Sequence, residues 1–356
     1  MTELMVMEGD GIGPEISAAT LAVLRAADRS YALGLEFTSA SIGLAALRQE
    51  GTTFPQAAFA AAQSADGVIL GPVSHNDYPG FAEGGLNPSG ELRKRLDLFA
   101  NIRPARTRGG FPPRCGAPVD LVIVRENTEG FYADRSMFFG SGEFMPTPDL
   151  ALAVRKITRA GSTRIAEAAF EIAMRRGKKL TAVHKANVLR VSDGLFLECV
   201  RAVAARFPQV RYEERIIDAM AALLVRDAGV FDVIVTTNMF GDILSDQASE
   251  IAGSLGLAAS LNAGAAHAVA QAQHGSAPDI AGQDQANPCS LIGSAAMLLQ
   301  WIGKRRGDES FVRAADAIDA ALEATIAAPA SRTRDLGGPL GTKAFGERVA
   351  AGVRES

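Results

Sequence analysis

The sequence predicts an α/β protein, and three observations support this fold class. Short apolar runs rich in β-branched residues alternate with longer amphipathic segments, which is the pattern of strands alternating with helices. Pro14 occupies the first turn of the first long amphipathic segment, where its missing N–H is not needed. The 356 residues are enough for one large domain or two medium ones,.

This alternation places six strands and six helices along the chain. The predicted strands are residues 4–7, 35–39, 67–70, 120–124, 180–183 and 232–235. The predicted helices are residues 14–27, 91–96, 162–176, 193–206, 241–253 and 290–302. Two further segments are predicted to be irregular: residues 106–118, as a loop or a crossover between two lobes, and residues 140–148, as an arm or a loop.

Composition and charge exclude several classes of protein. A hydrophobic fraction of 47% with 21% charged residues is ordinary for a globular protein in water,, and no apolar run approaches the roughly 18 residues of a membrane-spanning helix. The formal net charge of −4 gives no reason to expect nucleic acid as a partner,. Scattered cysteines, and an N-terminus that is acidic where a secretory signal would be basic, predict a cytoplasmic protein,.

The glycine-rich turn at residues 9–14 does not complete the dinucleotide-binding pattern of a Rossmann fold. Its sequence, Gly-Asp-Gly-Ile-Gly-Pro, has proline where the third glycine should stand, and no clear acidic residue ends a strand about twenty residues later. The turn suits a simple connection between a strand and a helix equally well. We therefore do not expect an ordinary Rossmann nucleotide site.

Two aspartates that follow an apolar strand are candidate metal ligands. Asp242 and Asp246 stand four residues apart at the start of a predicted helix, so their carboxylates share one face of it. Such a pair of hard oxygen ligands suits Mg²⁺ or Mn²⁺, with substrate and water completing the octahedron. The alternative is that both acids only complement the positive end of the helix dipole.

Basic and phenolic residues supply candidates for catalysis and substrate binding. Lys185 follows a strand and could act as a general base,. Arg125 ends a strand and Tyr132 lies seven residues later, so this pair could bind a carboxylate and supply a proton. Arg93 and Arg103 could clamp further carboxylates. The alternatives are a solvated lysine, a tyrosine packed in a surface turn and a solvated basic face.

Taken together, these segments resemble the β-decarboxylating dehydrogenases, the family of isocitrate, homoisocitrate, 3-isopropylmalate and tartrate dehydrogenases. The resemblance runs from residues 9–11 to residues 334–338. It is most specific at residues 238–246, Asn-Met-Phe-Gly-Asp-Ile-Leu-Ser-Asp, and at residues 274–282, His-Gly-Ser-Ala-Pro-Asp-Ile-Ala-Gly. It implies an isocitrate/isopropylmalate dehydrogenase-like α/β fold, with the active-site cleft between two lobes, and not a Rossmann fold.

The resemblance also implies how the molecule is organised. Residues 1–98 and 255–356 are expected to form a large NAD-binding domain. Residues 99–254 are expected to form a small central domain that carries the substrate site, the metal site and the dimer interface. The family works as a homodimer with shared active sites, so each cleft is expected to receive Lys185 and Asp218 from the neighbouring chain.

The activity implied is an NAD-linked, metal-dependent oxidative decarboxylation of a small polycarboxylate. Asp218, Asp242 and Asp246 are expected to bind Mg²⁺ or Mn²⁺ beside the substrate's α-hydroxyl. Lys185 is expected to take the proton of that hydroxyl, and Tyr132 to return a proton to carbon 3. The expected substrate-binding residues are Asn87, Ser89, Arg93, Arg103 and Arg125, and the expected cofactor-binding residues are Asn187, His274, Gly275, Ser276, Ala277, Asp279, Ile280 and Asn287.

Cofactor and substrate are predicted from finer features. Asp279 and Ile280 predict NAD, because a carboxylate accepts hydrogen bonds from a free ribose 2′-hydroxyl and repels a 2′-phosphate. Isocitrate or homoisocitrate is the predicted substrate, because Asn87 and Ser89 suit a polar or charged substituent at carbon 3 better than an isopropyl group. 3-Isopropylmalate, tartrate and D-malate are the alternative substrates.

Two departures from the family pattern and two other classes of protein complete the prediction. Gln271-Ala272 replaces the usual Glu-Pro, and residues 71–75 differ from the usual glycine-rich nicotinamide loop.

A non-catalytic regulatory subunit is one alternative, although such chains typically lose the lysine, the tyrosine or the aspartates kept here. A metal-free Rossmann hydroxyacid dehydrogenase is the other, and its activity would not respond to a chelator.

Overall fold

The computed structural model describes residues 1–132 and 142–355 of the chain. Its strands are β1 (Thr2–Met7), β2 (Leu35–Ser39), β3 (Gly67–Leu70), β4 (Ala100–Arg106), β5 (Asp120–Glu126), β6 (Glu143–Thr147), β7 (Leu150–Ala153), β8 (Lys179–His184), β9 (Arg211–Ile216), β10 (Val233–Thr236), β11 (Leu261–Ala263) and β12 (Ala268–Gln271). Its helices are α1 (Gly13–Tyr31), α2 (Gly43–Glu50), α3 (Gln56–Ser64), α4 (Pro88–Arg95), α5 (Arg159–Met174), α6 (Ser192–Ala204), α7 (Ile217–Asp227), α8 (Asn238–Ala252), α9 (Cys289–Arg306), α10 (Glu309–Ala327) and α11 (Thr342–Glu355). None of the helices in this part of the chain combines the length and the apolar character that crossing a bilayer would require.

Ten of the described strands form one mixed sheet in the order β2-β1-β3-β12-β11-β4-β5-β10-β8-β9. Strands pair in parallel toward both ends of this order, whereas β12, β11, β4 and β5 pair antiparallel in the middle. An antiparallel centre distinguishes this sheet from the parallel sheet of a Rossmann fold. The predicted fold class, α/β and not Rossmann, is confirmed.

The two halves of the sheet come from different parts of the chain. The strands β1, β2, β3, β11 and β12 lie within residues 1–70 and 261–271, whereas β4, β5, β8, β9 and β10 lie within residues 100–236. The pairing of β11 with β4 makes the sheet continuous between these halves. The division into two domains at residues 98 and 254 stays a prediction.

Apolar side chains cover both faces of the sheet. In one half, a cluster that contains Phe345 joins α1, α9, α10 and α11, and a cluster that contains Phe59 packs α3 and α4 on the opposite face. In the other half, Phe170 belongs to the cluster beneath α5 and α6, and Leu244 to the cluster beneath α7 and α8. Because both faces are buried, the ends of the strands are the places where polar functional groups can gather.

Residues 107–118 form a loop, as predicted, whereas Arg106 is the last residue of β4; the segment is not a crossover between lobes. It connects β4 to β5, and these strands are antiparallel neighbours paired from Ala100 opposite Glu126 to Arg106 opposite Asp120. Antiparallel neighbours need only a hairpin connection. The Gly, Pro and Arg content indicated a loop and carried no information about which strands it joins.

The irregular structure predicted for residues 140–148 is wrong for most of that segment. Residues 143–147 form β6, which pairs with β7 in a separate two-stranded sheet; Gly140 and Ser141 lie outside the described residues. The side chains of both strands are exposed. No alternation of buried and exposed positions therefore marks β6 in the sequence.

Candidate active site

One cavity of about 370 Å³ collects half of the predicted site residues. Those that line it are Asn87, Ser89, Arg93, Arg103, Arg125, Tyr132, Asp242, His274 and Gly275. They are joined there by Pro72, Val73, His75, Gly90, Ser260, Gln271, Ala272 and Gln273. The cavity opens where β3 and β12 end and where α4 and α8 begin, so both halves of the sheet contribute to its wall.

The start of α4 places two of these side chains. Asn87 Oδ1 accepts a hydrogen bond from the N–H of Gly90 at 3.1 Å and so caps the helix,. Pro88 takes the first helical position, where no N–H is required. Ser89 and Arg93 are one turn apart and point to the same side of the helix, and Ser89 is buried.

Two buried arginines stand side by side on adjacent strands of the cavity. Arg125 on β5 pairs with Asn101, which is two residues before Arg103 on β4, so the two guanidinium groups are diagonal neighbours on one face. Arg103 is 7% exposed and Arg125 is 2% exposed. Burial lowers the pKa of Arg103 to about 10, and repulsion by the charge of Arg125 adds to that shift.

The carboxylate of Asp242 lies between these guanidinium groups. It accepts hydrogen bonds from Arg103 Nη1 at 3.3 Å and from Arg125 Nη1, and Tyr132 Oη donates to its other oxygen at 3.3 Å. Burial alone would raise the pKa of Asp242, but the charges of the neighbouring arginines outweigh burial and lower it. Asp242 is therefore ionised at neutral pH and balances the arginine charge.

Asp246 follows one turn later on α8. Its Oδ1 accepts from Arg103 Nη1 at 3.3 Å and from Gln273 Nε2 at 2.7 Å, and its side chain is 53% exposed. Two carboxylates one turn apart suit Mg²⁺ or Mn²⁺, which keeps several water or substrate oxygens as ligands. No group of three His, Cys, Asp or Glu side chains within residues 1–132 and 142–355 could hold a metal ion.

Lys185 and Asp218 contact each other and do not line the cavity. Lys185 Nζ donates to Asp218 Oδ1 at 2.5 Å, and this hydrogen bond lowers the pKa of Asp218. The side chain of Asp218 is 68% exposed. Asn187 is in the same loop after β8 and is also exposed. Within one chain, the predicted site residues therefore include two separate groups, one that lines the cavity and one around Lys185 and Asp218.

The glycine-rich turn before α1 supports the loop that carries most of the predicted cofactor residues. Gly11 has a φ of +56°, and a Cβ there would lie 2.0 Å from the carbonyl oxygen of Ser276, so this close approach requires glycine. The N–H of Ile12 donates to the same carbonyl oxygen at 2.8 Å. The hydroxyls of Ser276 and Ser74 are 2.7 Å apart, so a second loop is held there as well.

Three groups of this loop are available to a ligand. His274 Nε2 is buried and has no hydrogen-bond partner among the described residues, and burial lowers the pKa of His274. Gly275 has open space where a Cβ would stand. Asp279 is exposed. A buried polar atom without a partner is rare in native proteins, so this loop fits a bound polar molecule such as a nucleotide.

The other predicted cofactor residues have structural contacts. Ala277 and Ile280 pack against the apolar cluster around α1 and α9. Asn287 Nδ2 donates to Asp335 Oδ2 at 2.9 Å, and its Oδ1 accepts from the N–H of Cys289 at 2.9 Å.

Sequence reasoning missed two polar residues that orient the arginines. Asn238 Oδ1 accepts from Arg125 Nε at 3.0 Å and from Nη2 at 2.7 Å. Ser245 Oγ accepts from Arg103 Nη1 at 2.7 Å. Both stand in the motif at residues 238–246, and their helical spacing from Asp242 was a usable signal because it places all three on one face.

A buried ion pair that no motif indicated joins the Lys185 loop to α8. Asp193 at the start of α6 is fully buried; it accepts from Arg155 Nη1 and from the backbone N–H of Lys185, the latter at 2.5 Å. Arg155 Nη2 also donates to Thr237 Oγ1 at 3.0 Å, directly before α8. The pair therefore sets the position of the Lys185 loop relative to the helix that carries Asp242.

Comparisons with known proteins agree with one another. A family model described as isocitrate/isopropylmalate dehydrogenase matches residues 3–349. The chain is 42% identical to the isocitrate/homoisocitrate dehydrogenase of Thermus thermophilus, covering 99% of this chain and 98% of that protein. It is 40% identical to the 3-isopropylmalate dehydrogenase of Archaeoglobus fulgidus, covering 99% of each. The crystal structure of isocitrate dehydrogenase from Methylococcus capsulatus matches with a TM-score of 0.87 at 37% identity, covering 99% of this chain and 100% of that chain.

The buried ion pair yields a stability prediction. Asp193→Asn should lower the free energy of unfolding by about 3–5 kcal/mol, because it leaves the Arg155 guanidinium buried without its counter-charge. The matched control is Glu198→Gln on the same helix, whose exposed pair with Arg159 should leave stability nearly unchanged. Chemical denaturation followed by circular dichroism measures both, and equally small changes in the two variants would contradict the role of the buried pair.

Proposed function

The chain belongs to the isocitrate/isopropylmalate dehydrogenase family and is a decarboxylating dehydrogenase, and we propose that it acts on isocitrate or homoisocitrate with NAD and Mg²⁺ or Mn²⁺. The family inferred from the motifs is thereby confirmed. One observation carries the proposal: three arginines, an aspartate and a tyrosine meet in one polar cavity. A substrate with three carboxylates needs that concentration of positive charge.

The arginines bind the substrate's carboxylates in this proposal. Guanidinium groups form paired hydrogen bonds with carboxylates, and Arg93, Arg103 and Arg125 all face the cavity. Substrate carboxylates at Arg103 and Arg125 would take over hydrogen bonds that Asp242 now accepts. The substrate would thus free this aspartate to act as a metal ligand.

Asp242 and Asp246 would hold the divalent cation, together with the partner subunit's Asp218. The donor set fits, because hard carboxylate oxygens one helical turn apart suit Mg²⁺ and Mn²⁺. When bound, the cation lowers the pKa of the substrate's α-hydroxyl and stabilises the negative charge that develops on the hydroxyl oxygen.

The loop at residues 274–280 would hold NAD. The unpartnered His274 Nε2 and the open space at Gly275 support this assignment, and the exposed Asp279 would accept from the ribose 2′-hydroxyl. Bound NAD accepts the hydride from the carbon that carries the substrate's hydroxyl.

Two side chains would move protons. Lys185 Nζ would take the proton of the α-hydroxyl as that carbon is oxidised. The β-keto acid then loses one carboxylate as CO₂, and Tyr132 Oη would return a proton to carbon 3. Tyr132 lines the cavity and donates to Asp242 Oδ2 at 3.3 Å, so its hydroxyl proton already lies on the substrate side.

We also propose a homodimer in which Lys185 and Asp218 of one chain complete the cavity of the other. This assembly would bring the two separated groups of residues together. Large apolar side chains are exposed on the β6–β7 hairpin, in the Lys185 loop and beside Asp242: Phe144, Met145, Leu150, Leu152, Val188, Val191 and Ile243. Exposed apolar side chains of this size are candidates for burial in a protein–protein interface.

The cytoplasm is the proposed location of the reaction. Cys115, Cys199 and Cys289 are free thiols, which suits a reducing compartment.

The polar wall of the cavity supports a charged substituent at carbon 3. Asn87, Ser89, His75 and Gln271 line it together with Arg93, whereas an isopropyl group prefers an apolar pocket. The second candidate is 3-isopropylmalate, which is favoured by relatives of that name at 38% and 40% identity.

Cofactor choice gives the first functional prediction. The enzyme should use NAD with a kcat/KM at least about tenfold above that for NADP, because Asp279 repels a 2′-phosphate. Asp279→Asn should raise kcat/KM for NADP and narrow the difference, whereas Glu198→Gln removes an exposed charge elsewhere and should not. A preference for NADP in the wild type would contradict the assignment of Asp279.

Metal and substrate are tested in one assay of NADH formation with D-malate, tartrate, isocitrate, homoisocitrate and 3-isopropylmalate. The highest kcat/KM is expected for isocitrate or homoisocitrate, and EDTA should abolish activity until Mg²⁺ or Mn²⁺ is restored. The highest efficiency with 3-isopropylmalate would refute the substrate. An unchanged rate in EDTA would refute the metal.

A further inference from the structure

Gln271 ends β12 at the cavity wall, and its side-chain oxygen is fully engaged. Gln271 Oε1 accepts from Ser89 Oγ at 2.9 Å, from Arg93 Nη2 at 3.3 Å and from Asn262 Nδ2 at 3.2 Å. These donors come from α4 and β11, which flank the end of β12. The amide of Gln271 is therefore held on one side by three hydrogen bonds.

The orientation of the Gln271 amide is fixed by neighbours that can act only as donors or only as acceptors. Arginine only donates, so the atom that meets Arg93 must be the oxygen of Gln271. Asn262 gives an independent argument. Asn127 Nδ2 donates to the carbonyl oxygen of Leu98 at 2.9 Å, which can only accept, and also to Asn262 Oδ1 at 3.0 Å. Asn262 must then turn its Nδ2 toward Gln271.

The network behind Gln271 is buried. Asn101, Asn127 and Asn262 are at most 4% exposed, and Asn101 Nδ2 donates to Asn262 Oδ1 at 3.1 Å. If the amide of Gln271 were reversed, its Nε2 would face the donors of Arg93 and Asn262, and neither hydrogen bond could form. Leaving buried polar groups without partners costs free energy. Gln271 therefore keeps one orientation when the cavity is empty or filled.

The group that Gln271 leaves for the cavity is a hydrogen-bond donor. Among the described residues, none accepts a hydrogen bond from Gln271 Nε2, and the residue lines the cavity. Asn87 presents the same polarity, because its Oδ1 is used in capping α4 and its Nδ2 remains. This wall offers donors, and a carboxylate is the substituent that accepts from them.

We propose that Gln271 is a specificity-determining residue: its Nε2 donates to a carboxylate on the substituent at carbon 3 and so selects a carboxyalkyl malate over an alkyl malate. The inference rests on the proposed function, which assigns the malate portion to Arg103, Arg125 and Asp242. The wall formed by Ser89 and Gln271 then faces the rest of the substrate. An alkyl group there would desolvate the donor and leave it without a partner.

The test is Gln271→Glu, which keeps one oxygen for the three donors and replaces the NH₂ by a second acceptor. The ratio of kcat/KM for isocitrate to that for 3-isopropylmalate should fall by about 10- to 100-fold. Gln271→Met, which carries neither charge nor donor, should lower the same ratio. The matched control Gln63→Glu adds the same charge on the exposed face of α3 and should leave the ratio unchanged.

Calorimetric titration of the Mg²⁺-loaded enzyme with each compound, without NAD, separates this inference from the proposed function. Weaker binding of isocitrate in both Gln271 variants, with little change for 3-isopropylmalate, would support the inference whether or not turnover occurs. An equal change for both compounds, or no change, would overturn it and leave the proposed function standing if the wild type is active. A wild type that oxidises neither isocitrate nor homoisocitrate refutes the proposed function, and one that also binds neither isocitrate nor 3-isopropylmalate refutes both.

Discussion

The charges of Arg103 and Arg125 are the constraint on which the rest of the site depends. The antiparallel register of β4 and β5 places them diagonally on one face, and both are almost completely buried. Buried charges require a counter-charge and hydrogen-bond partners. Asp242 supplies the charge because β10 is the next strand beyond β5 and α8 begins directly after it. The register of β4 and β5 therefore places the two positive charges at the point where the start of α8 supplies the negative charge.

The same constraint connects stability with the proposed chemistry. In the structure, Asp242, Asn238 and Ser245, all from α8, accept hydrogen bonds from the two arginines. A polycarboxylate substrate would offer the arginines equivalent anionic oxygens, so the positive charge stays balanced while the carboxylates of α8 become available to a cation. The site therefore needs its charged groups both with and without substrate, and only their pairing would differ.

Much of the cavity could be predicted from the sequence because its residues follow strand ends in short motifs. Arg125 is the next-to-last residue of β5 and Asp242 lies one turn into α8, and local apolar periodicity located both elements,. Contacts between distant segments leave no such pattern. Asn127 and Asn262, which orient Gln271, are 135 residues apart, and Arg155 and Asp193 are 38 apart. The strand β6 escaped detection because its side chains are exposed along their whole length.

The central claim is that each active site combines the cavity of one chain with Lys185 of another. The most direct measurement uses two variants, Lys185→Met and Asp246→Asn, each inactive as a homodimer, co-expressed with different affinity tags so that the mixed dimer can be purified. If the sites are shared, one of the two sites in the mixed dimer has both residues intact, and the activity should be about half that of the wild type. A mixed dimer as inactive as its parents would show that both residues act within one chain and would contradict the account.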